Sequence, residues 1–288
     1  MTDSISGRSE GSLPPRIGVF DSGLGGLTVL RALIDLLPRC ETVYFGDTGR
    51  FPYGPKPASE VRRYAHEISD WLVAQQVDLI VVACNSATAV ALDSLRTALP
   101  IPVVGVIEPG VRAASSVTSG GQVGVVATVG TVRSGAYQET ALSVAPHLEL
   151  SCIATPGFVE FVESGEVDSD QLLVLAERLL QPLVEANVDT LVLGCTHYPL
   201  IGRCIGEVMG PNVVLVSSAD ETAFEVTRIV EVAMASAGHP STPPHSHAET
   251  GTPVRRRFVT SGDPALFAQL AGRFLGPEVV AVESHRWT

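Results

Sequence analysis

The sequence predicts an α/β protein built as two pseudo-symmetric α/β domains with mainly parallel sheets and a site in the cleft between them. Three observations carry that reading. Short apolar runs alternate with longer stretches of helical periodicity along most of the chain, the pattern of strands joined by crossover helices. One strand-to-loop motif is used twice: Val77-Asp78-Leu79-Ile80-Val81-Val82-Ala83-Cys84-Asn85-Ser86 parallels Val188-Asp189-Thr190-Leu191-Val192-Leu193-Gly194-Cys195-Thr196-His197, each cysteine falling six residues after its aspartate. The stretch Arg16-Ile17-Gly18-Val19-Phe20-Asp21-Ser22 is echoed by Gln122-Val123-Gly124-Val125-Val126-Ala127-Thr128. The offsets of the two echoes, 106 and 111 residues, point to an internal duplication of about a hundred residues.

Length and composition bound the rest. At 288 residues the chain is long enough for two domains, taking ~100–200 residues for each. We expect a tail over 1–15, a first domain from 16–110 plus 220–288, and a second from 111–219. A formal charge of −12 argues against broad binding to nucleic acid or to an anionic membrane. No apolar run reaches the ~20 residues that span a bilayer. Met1 to Pro15 is polar and lacks the apolar stretch of a secretion signal, so a cytoplasmic protein with reduced thiols is expected. Lys56 is the only lysine and lies in Pro55-Lys56-Pro57, which makes a pyridoxal phosphate Schiff base a poor fit. No C-x-x-C pair occurs among the five cysteines, which disfavours a zinc ribbon or a thioredoxin-type motif. The expectation is therefore an absence of cofactor and metal.

In chain order, Ile17-Gly18-Val19-Phe20 reads as a strand, Asp21-Ser22-Gly23-Leu24-Gly25-Gly26 as a tight turn able to present backbone N–H groups, and Leu27 to Leu37 as a helix. Thr42 to Phe45 is a strand, followed by an irregular Gly- and Pro-rich loop through Pro55. Ser59 is expected to cap a helix with the stripe Val61, Tyr64, Ala65, Ile68 and Leu72. The Cys84 strand leads to a helix over Ala87 to Leu99. Val103 to Ile107 is a strand, and Glu108-Pro109 starts the next helix. The second half continues with the Gln122 strand, a helix from Val132, a strand over Leu148 to Ile153, and a helix from Asp170 to Ala186. The Cys195 strand, a helix over Ile201 to Met209 and the strand Val213 to Val216 follow. A helix from Asp220 to about Ala237 leads into His239–Pro253, rich in Pro, Ser, Thr and His, which reads as an exposed loop. Arg255-Arg256-Arg257 reads as a solvated strand edge, Phe258 to Thr260 as a strand, and Asp263 to Phe274 as a last helix.

The chemistry sits at strand ends. In open α/β sheets, ligands bind beyond the carboxyl ends of the strands, and Cys84 and Cys195 both fall there with polar residues beside them. Cys40, Cys152 and Cys204 read as buried small hydrophobes. A helix N-terminus after each of the paired cysteines would lower its pKa from the usual ~8.5 and make thiolate available. Two thiols facing each other across one small molecule can take a proton from one face and return one to the other, which is stereochemical inversion. Hydrolysis by a Cys–His pair needs one cysteine and leaves the duplication unexplained.

At this point the motifs Phe20-Asp21-Ser22-Gly23, Gly46-Asp47-Thr48 with Pro52-Tyr53-Gly54, Ala83-Cys84-Asn85 and Gly194-Cys195-Thr196-His197-Tyr198-Pro199-Leu200 resemble those of the glutamate racemases. The resemblance runs from about Ile17 to Thr260-Ser261-Gly262-Asp263. It implies cofactor-independent interconversion of L- and D-glutamate that supplies peptidoglycan, two α/β domains enclosing the substrate, and a homodimer. By motif, it implies that Cys84 and Cys195 are the acid/base residues, with Asp21 and His197 assisting them and Glu163, near Glu160, supporting His197. It also implies substrate contacts from Asp21, Ser22, Tyr53, Gly54, Asn85, Ser86, Thr131, Thr196 and His197. Ser86 departs from the threonine common after Cys-Asn but keeps the hydroxyl. Aspartate racemase or another two-cysteine relative is the alternative left open. A non-catalytic two-domain binding protein would find the paired cysteines superfluous, and a thiol redox protein lacks its C-x-x-C motif.

Overall fold

The computed structural model describes residues 15–236, 254–279 and 281–287. The expected tail, Pro15 apart, and the expected His239–Pro253 loop lie outside the described residues. The elements run β1 (Arg16–Asp21), α1 (Leu27–Leu36), β2 (Glu41–Gly46), α2 (Ala58–Ala74), β3 (Leu79–Val82), α3 (Asn85–Ala98), β4 (Val103–Gly105), α4 (Ile107–Val117), β5 (Gln122–Ala127), α5 (Val129–Ser134), α6 (Ala136–Val144) and β6 (Glu149–Ala154). They continue with α7 (Phe158–Ser164), α8 (Asp170–Glu185), β7 (Thr190–Gly194), α9 (Gly202–Met209), β8 (Val214–Val216), α10 (Ser218–Ser236), β9 (Arg256–Thr260), α11 (Pro264–Leu275) and β10 (Val282–Ser284).

The strands form a six-stranded sheet, ordered β10-β9-β2-β1-β3-β4, and a four-stranded sheet, ordered β6-β5-β7-β8. Every registered pair is parallel. Parallel strands are covered on both faces, which is why they read as continuous apolar runs. In the first sheet Ile17, Val19, Leu79 and Val81 face α1, α10 and α11. The alternate residues Phe20, Phe45, Ile80 and Val82 face α2 and α3. In the second sheet Val126, Leu191 and Leu193 pack against α7, α8 and α9, while Val123, Val125 and Val192 pack against α4 and α6.

The duplication is visible in the topology. The order β2-β1-β3-β4 recurs as β6-β5-β7-β8, so β1 corresponds to β5 and β3 to β7. Crossovers leave β1 and β3 towards opposite faces, and likewise β5 and β7. The crevice between such neighbours is the topological switch point where doubly wound sheets bind ligands. Asp21 and Ser22 lie at the end of β1 and Cys84 follows β3. Thr128 and Cys195 hold the matching places after β5 and β7.

Several local expectations are corrected. Ser59 lies inside α2: extended Pro57 precedes the helix, and its carbonyl accepts from the Glu60 and Val61 amides. The helix expected from Ala87 begins at Asn85, directly after Cys84. The helix expected from Val132 is two, α5 and α6, separated by Gly135 at φ 74°, a left-handed conformation suited to glycine. Strand β9 is interior to the sheet only over Phe258–Thr260, which pair with both β2 and β10; Arg256 and Arg257 register with β2 alone and are half-buried rather than fully solvated. The Arg257 side chain pairs with Glu283 on β10 and with Gln75. Helix α7, seven residues, and strand β10, three residues, are short elements beyond those the sequence predicts.

Candidate active site

Strand β1 delivers Asp21 and Ser22 into the turn before α1. Asp21 is fully buried. Its Oδ2 accepts from the Gly23 amide at 2.9 Å, and its Oδ1 accepts from Thr196 Oγ1, across the two sheets, at 3.4 Å. The Gly25 backbone packs so close to the opposite half that a Cβ there would stand 2.4 Å from Thr196 Oγ1 and 2.6 Å from His197 Nδ1. A side chain there would have to displace both of those groups.

Cys84 follows Ala83 after β3 and immediately precedes α3, and its thiol donates to Ser22 Oγ at 3.8 Å. Burial pushes the thiol up to about 12, reinforced by the Asp21 carboxylate, against the Ala87 amide and the Ser22 hydroxyl. This corrects the expectation of a lowered pKa at Cys84. The helix N-terminus is present, but desolvation of the thiolate outweighs it. Cys195 has different company. His197 Nδ1 lies 3.7 Å from its Sγ, and His197 Nε2 lies 2.6 Å from Glu163 Oε1 on α7. Burial opposes charge on His197, but the Cys195 and Glu163 hydrogen bonds and the Asp21 carboxylate override it and raise the imidazole to about 10. The ring therefore carries its proton at neutral pH.

Cys84 and Cys195 open on the same cavity, a space of about 300 Å³ with its mouth included. The first half lines it with Ser22, Tyr53, Gly54, Cys84, Asn85 and Ser86, and the second with Thr128, Val159, Cys195, Thr196 and His197. The halves also meet directly, where the Gly130 amide donates to the Gly54 carbonyl at 2.9 Å. Ser86 Oγ lies 2.9 Å from Thr128 Oγ1 and 3.2 Å from Thr131 Oγ1, a cluster of hydroxyls at the junction. Asn85 Nδ2 is buried without a hydrogen-bond partner.

Most of the residues expected at the site thus line one space. Asp21, Glu163 and Thr131 stand behind the lining and reach it through Thr196, His197 and Ser86 respectively. Tyr53 lines the cavity, but its hydroxyl donates away from it to buried Asp47. Asp47 also accepts from Arg50, Ser261 and Trp287. Sequence reasoning missed Phe51, Pro52, Thr128 and Val159. For Thr128 the signal existed, because the echo aligns it with Ser22. Phe51, whose ring centroid lies 5.8 Å from that of His197, and Val159 are wall residues without a chemical signature.

The arrangement offers two thiols on one enclosed space, donors around it, and unlike support on the two sides. Among the described residues no group of three or more His, Cys, Asp or Glu is placed to hold a metal ion. No described helix is long and apolar enough to cross a membrane.

Residues 17–226 match the family described as Asp/Glu/Hydantoin racemase. The chain is 51% identical over 269 residues to the glutamate racemase of Parafrankia sp. (strain EAN1pec), covering 92% of each. It is similar to the crystal structure of glutamate racemase isoform RacE1 from Bacillus anthracis, with TM-score 0.83 and 36% identity over 95% of this chain and 97% of that one. It is also similar to the Francisella tularensis glutamate racemase solved in complex with D-glutamate, with TM-score 0.82 and 30% identity over 94% of this chain and 97% of that one.

Proposed function

From the premise that this chain belongs to the Asp/Glu/hydantoin racemase family, we propose that it interconverts L- and D-glutamate by two-base proton transfer between Cys84 and Cys195. The observation that carries this reading is the placement of two cysteines at equivalent switch points of a duplicated sheet, both opening on one cavity.

The steps follow from the chemistry of the site. A thiolate on one face removes the Cα proton, and the electron pair left behind delocalises toward the α-carboxylate. The thiol on the other face then protonates Cα from its side, which inverts the centre. The Cα proton is very weakly acidic, so a preorganised, water-poor site must stabilise the developing charge. Ser22, Asn85, Ser86 and Thr196 are the donors we assign to the substrate carboxylates. Protonated His197, held by Glu163, is the cation beside Cys195. Asp21 stands beside Cys84 and raises its proton affinity. Cys84 is therefore set up as the protonated partner.

The substrate assignment draws on the glutamate racemases the chain resembles. D-glutamate for peptidoglycan, a cytoplasmic location and a homodimer belong to the same proposal, as do domains of 16–110 with 220–288 and of 111–219. The test is the optical rotation of L-glutamate and, separately, L-aspartate incubated with dialysed, chelator-treated protein alone. Loss of rotation with glutamate only is expected. Racemisation of aspartate only, or activity restored only by pyridoxal phosphate or a metal, would refute the reading.

A further inference from the structure

Asn85 is the first residue of α3, next to Cys84, and it lines the cavity. Its amide has two chemically opposite ends. Oδ1 accepts a 2.8 Å hydrogen bond from the Tyr137 hydroxyl, while Nδ2 is buried with no partner. A buried N–H without an acceptor is costly, on the order of 1–3 kcal/mol, and native proteins place few of them. An unpartnered donor in a residue that lines the cavity, next to Cys84, is complementary to an anionic ligand group.

Tyr137 comes from the other half of the molecule. It sits on α6, two residues after the Gly135 break, and is itself 2% exposed. It is absent from the cavity lining, so its hydroxyl reaches the site only through Asn85. Burial, with Cys152 and Cys195 nearby, pushes its ionisation far above the ordinary tyrosine range, which keeps the hydroxyl a donor at any working pH. A donor on one side of an amide selects the rotamer with the carbonyl toward it. The half-turn rotamer would turn Oδ1 toward the cavity, where it would repel a carboxylate.

We propose that Tyr137 is a positioning residue that fixes the Asn85 amide with Nδ2 toward a substrate carboxylate; this rests on the glutamate racemase reading above. It also makes that donor dependent on the two halves being docked, because the hydrogen bond crosses between them. The role is in binding and is shared by ground state and transition state, so it belongs in KM.

The experiment is steady-state kinetics from both enantiomers for the wild type, Tyr137→Phe, Asn85→Ala and the double variant, with thermal unfolding of each. One neutral hydrogen bond acting through an amide should raise KM about five- to tenfold in Tyr137→Phe, with kcat within about twofold. The double variant should be no worse than Asn85→Ala. An unchanged KM in a folded Tyr137→Phe protein, or effects that multiply in the double variant, would overturn the proposal. A wild type inert toward glutamate would overturn the racemase reading instead. In that event the ¹⁵N side-chain amide signals of Asn85, identified by their loss in Asn85→Ala, decide the positioning claim. Displacement in Tyr137→Phe supports it and unchanged signals refute it.

Discussion

Cys84 and Cys195 are alike in sequence context and unlike in surroundings. Cys84 has a hydroxyl at 3.8 Å and a carboxylate that raises its thiol, while Cys195 has a charged imidazole at 3.7 Å. Thiolate is the reactive form, so iodoacetamide at neutral pH should label Cys195 before Cys84, and glutamate should slow the labelling. Mass mapping checks this, and first labelling at Cys40, Cys152 or Cys204 with activity intact would contradict the site. His197 gives a pH prediction. Its folded pKa of about 10 lies above its ordinary 6.5, so its charge stabilises the native state fully below pH 6.5 and loses that effect as pH rises through 10. The melting-temperature advantage of the wild type over His197→Asn should therefore shrink between those values. The same variant should lose roughly a hundredfold in kcat. At this scale the sequence was informative about identity and blind to environment. The thiols, Asp21 and His197 stood out by type and place, but the raised Cys84 and the turned-away Tyr53 hydroxyl depend on burial and on Asp47, which no local pattern encodes.

Strand ends and the turns after them set the site. The β1 turn, the β3–α3 junction and the β7 end converge because their strands occupy matching positions in the two sheets. The closest approach is Gly25 against Thr196 and His197, so Gly25→Ala must displace those side chains. Misplacement of a catalytic group by about 1 Å can cost roughly a hundredfold in rate. We expect Gly25→Ala to lose about that much activity while retaining the wild-type circular dichroism spectrum, and near-normal turnover would show that the contact is not needed. Buried parallel strands were legible because they are apolar on both faces, and the long helices because of their stripes. Breaks were less legible. Gly135 splits a helix that the apolar periodicity reads as continuous. The interior place of Phe258–Thr260 and the Arg257–Glu283 pair depend on β10, a three-residue strand far along the chain.

At the scale of the molecule, duplication is the organising fact. Two copies of one strand order bring two cysteines to one cavity, and the halves touch at Gly54–Gly130, Asp21–Thr196 and Asn85–Tyr137. The echo at offsets 106 and 111 made the pairing readable from sequence. How the halves meet was not readable, because those contacts join residues with no shared local pattern. If each direction needs both a base and an acid, replacing either cysteine by alanine should lower racemisation in both directions at least about a thousandfold. The most direct measurement of the central claim is racemisation of one pure glutamate enantiomer in D₂O, followed by mass spectrometry at low conversion. Two thiols on opposite faces predict product that carries deuterium at Cα and unreacted substrate that carries almost none, from either enantiomer. Substantial product retaining its original hydrogen would mean that a single base serves both faces, and the pairing of Cys84 with Cys195 would be wrong.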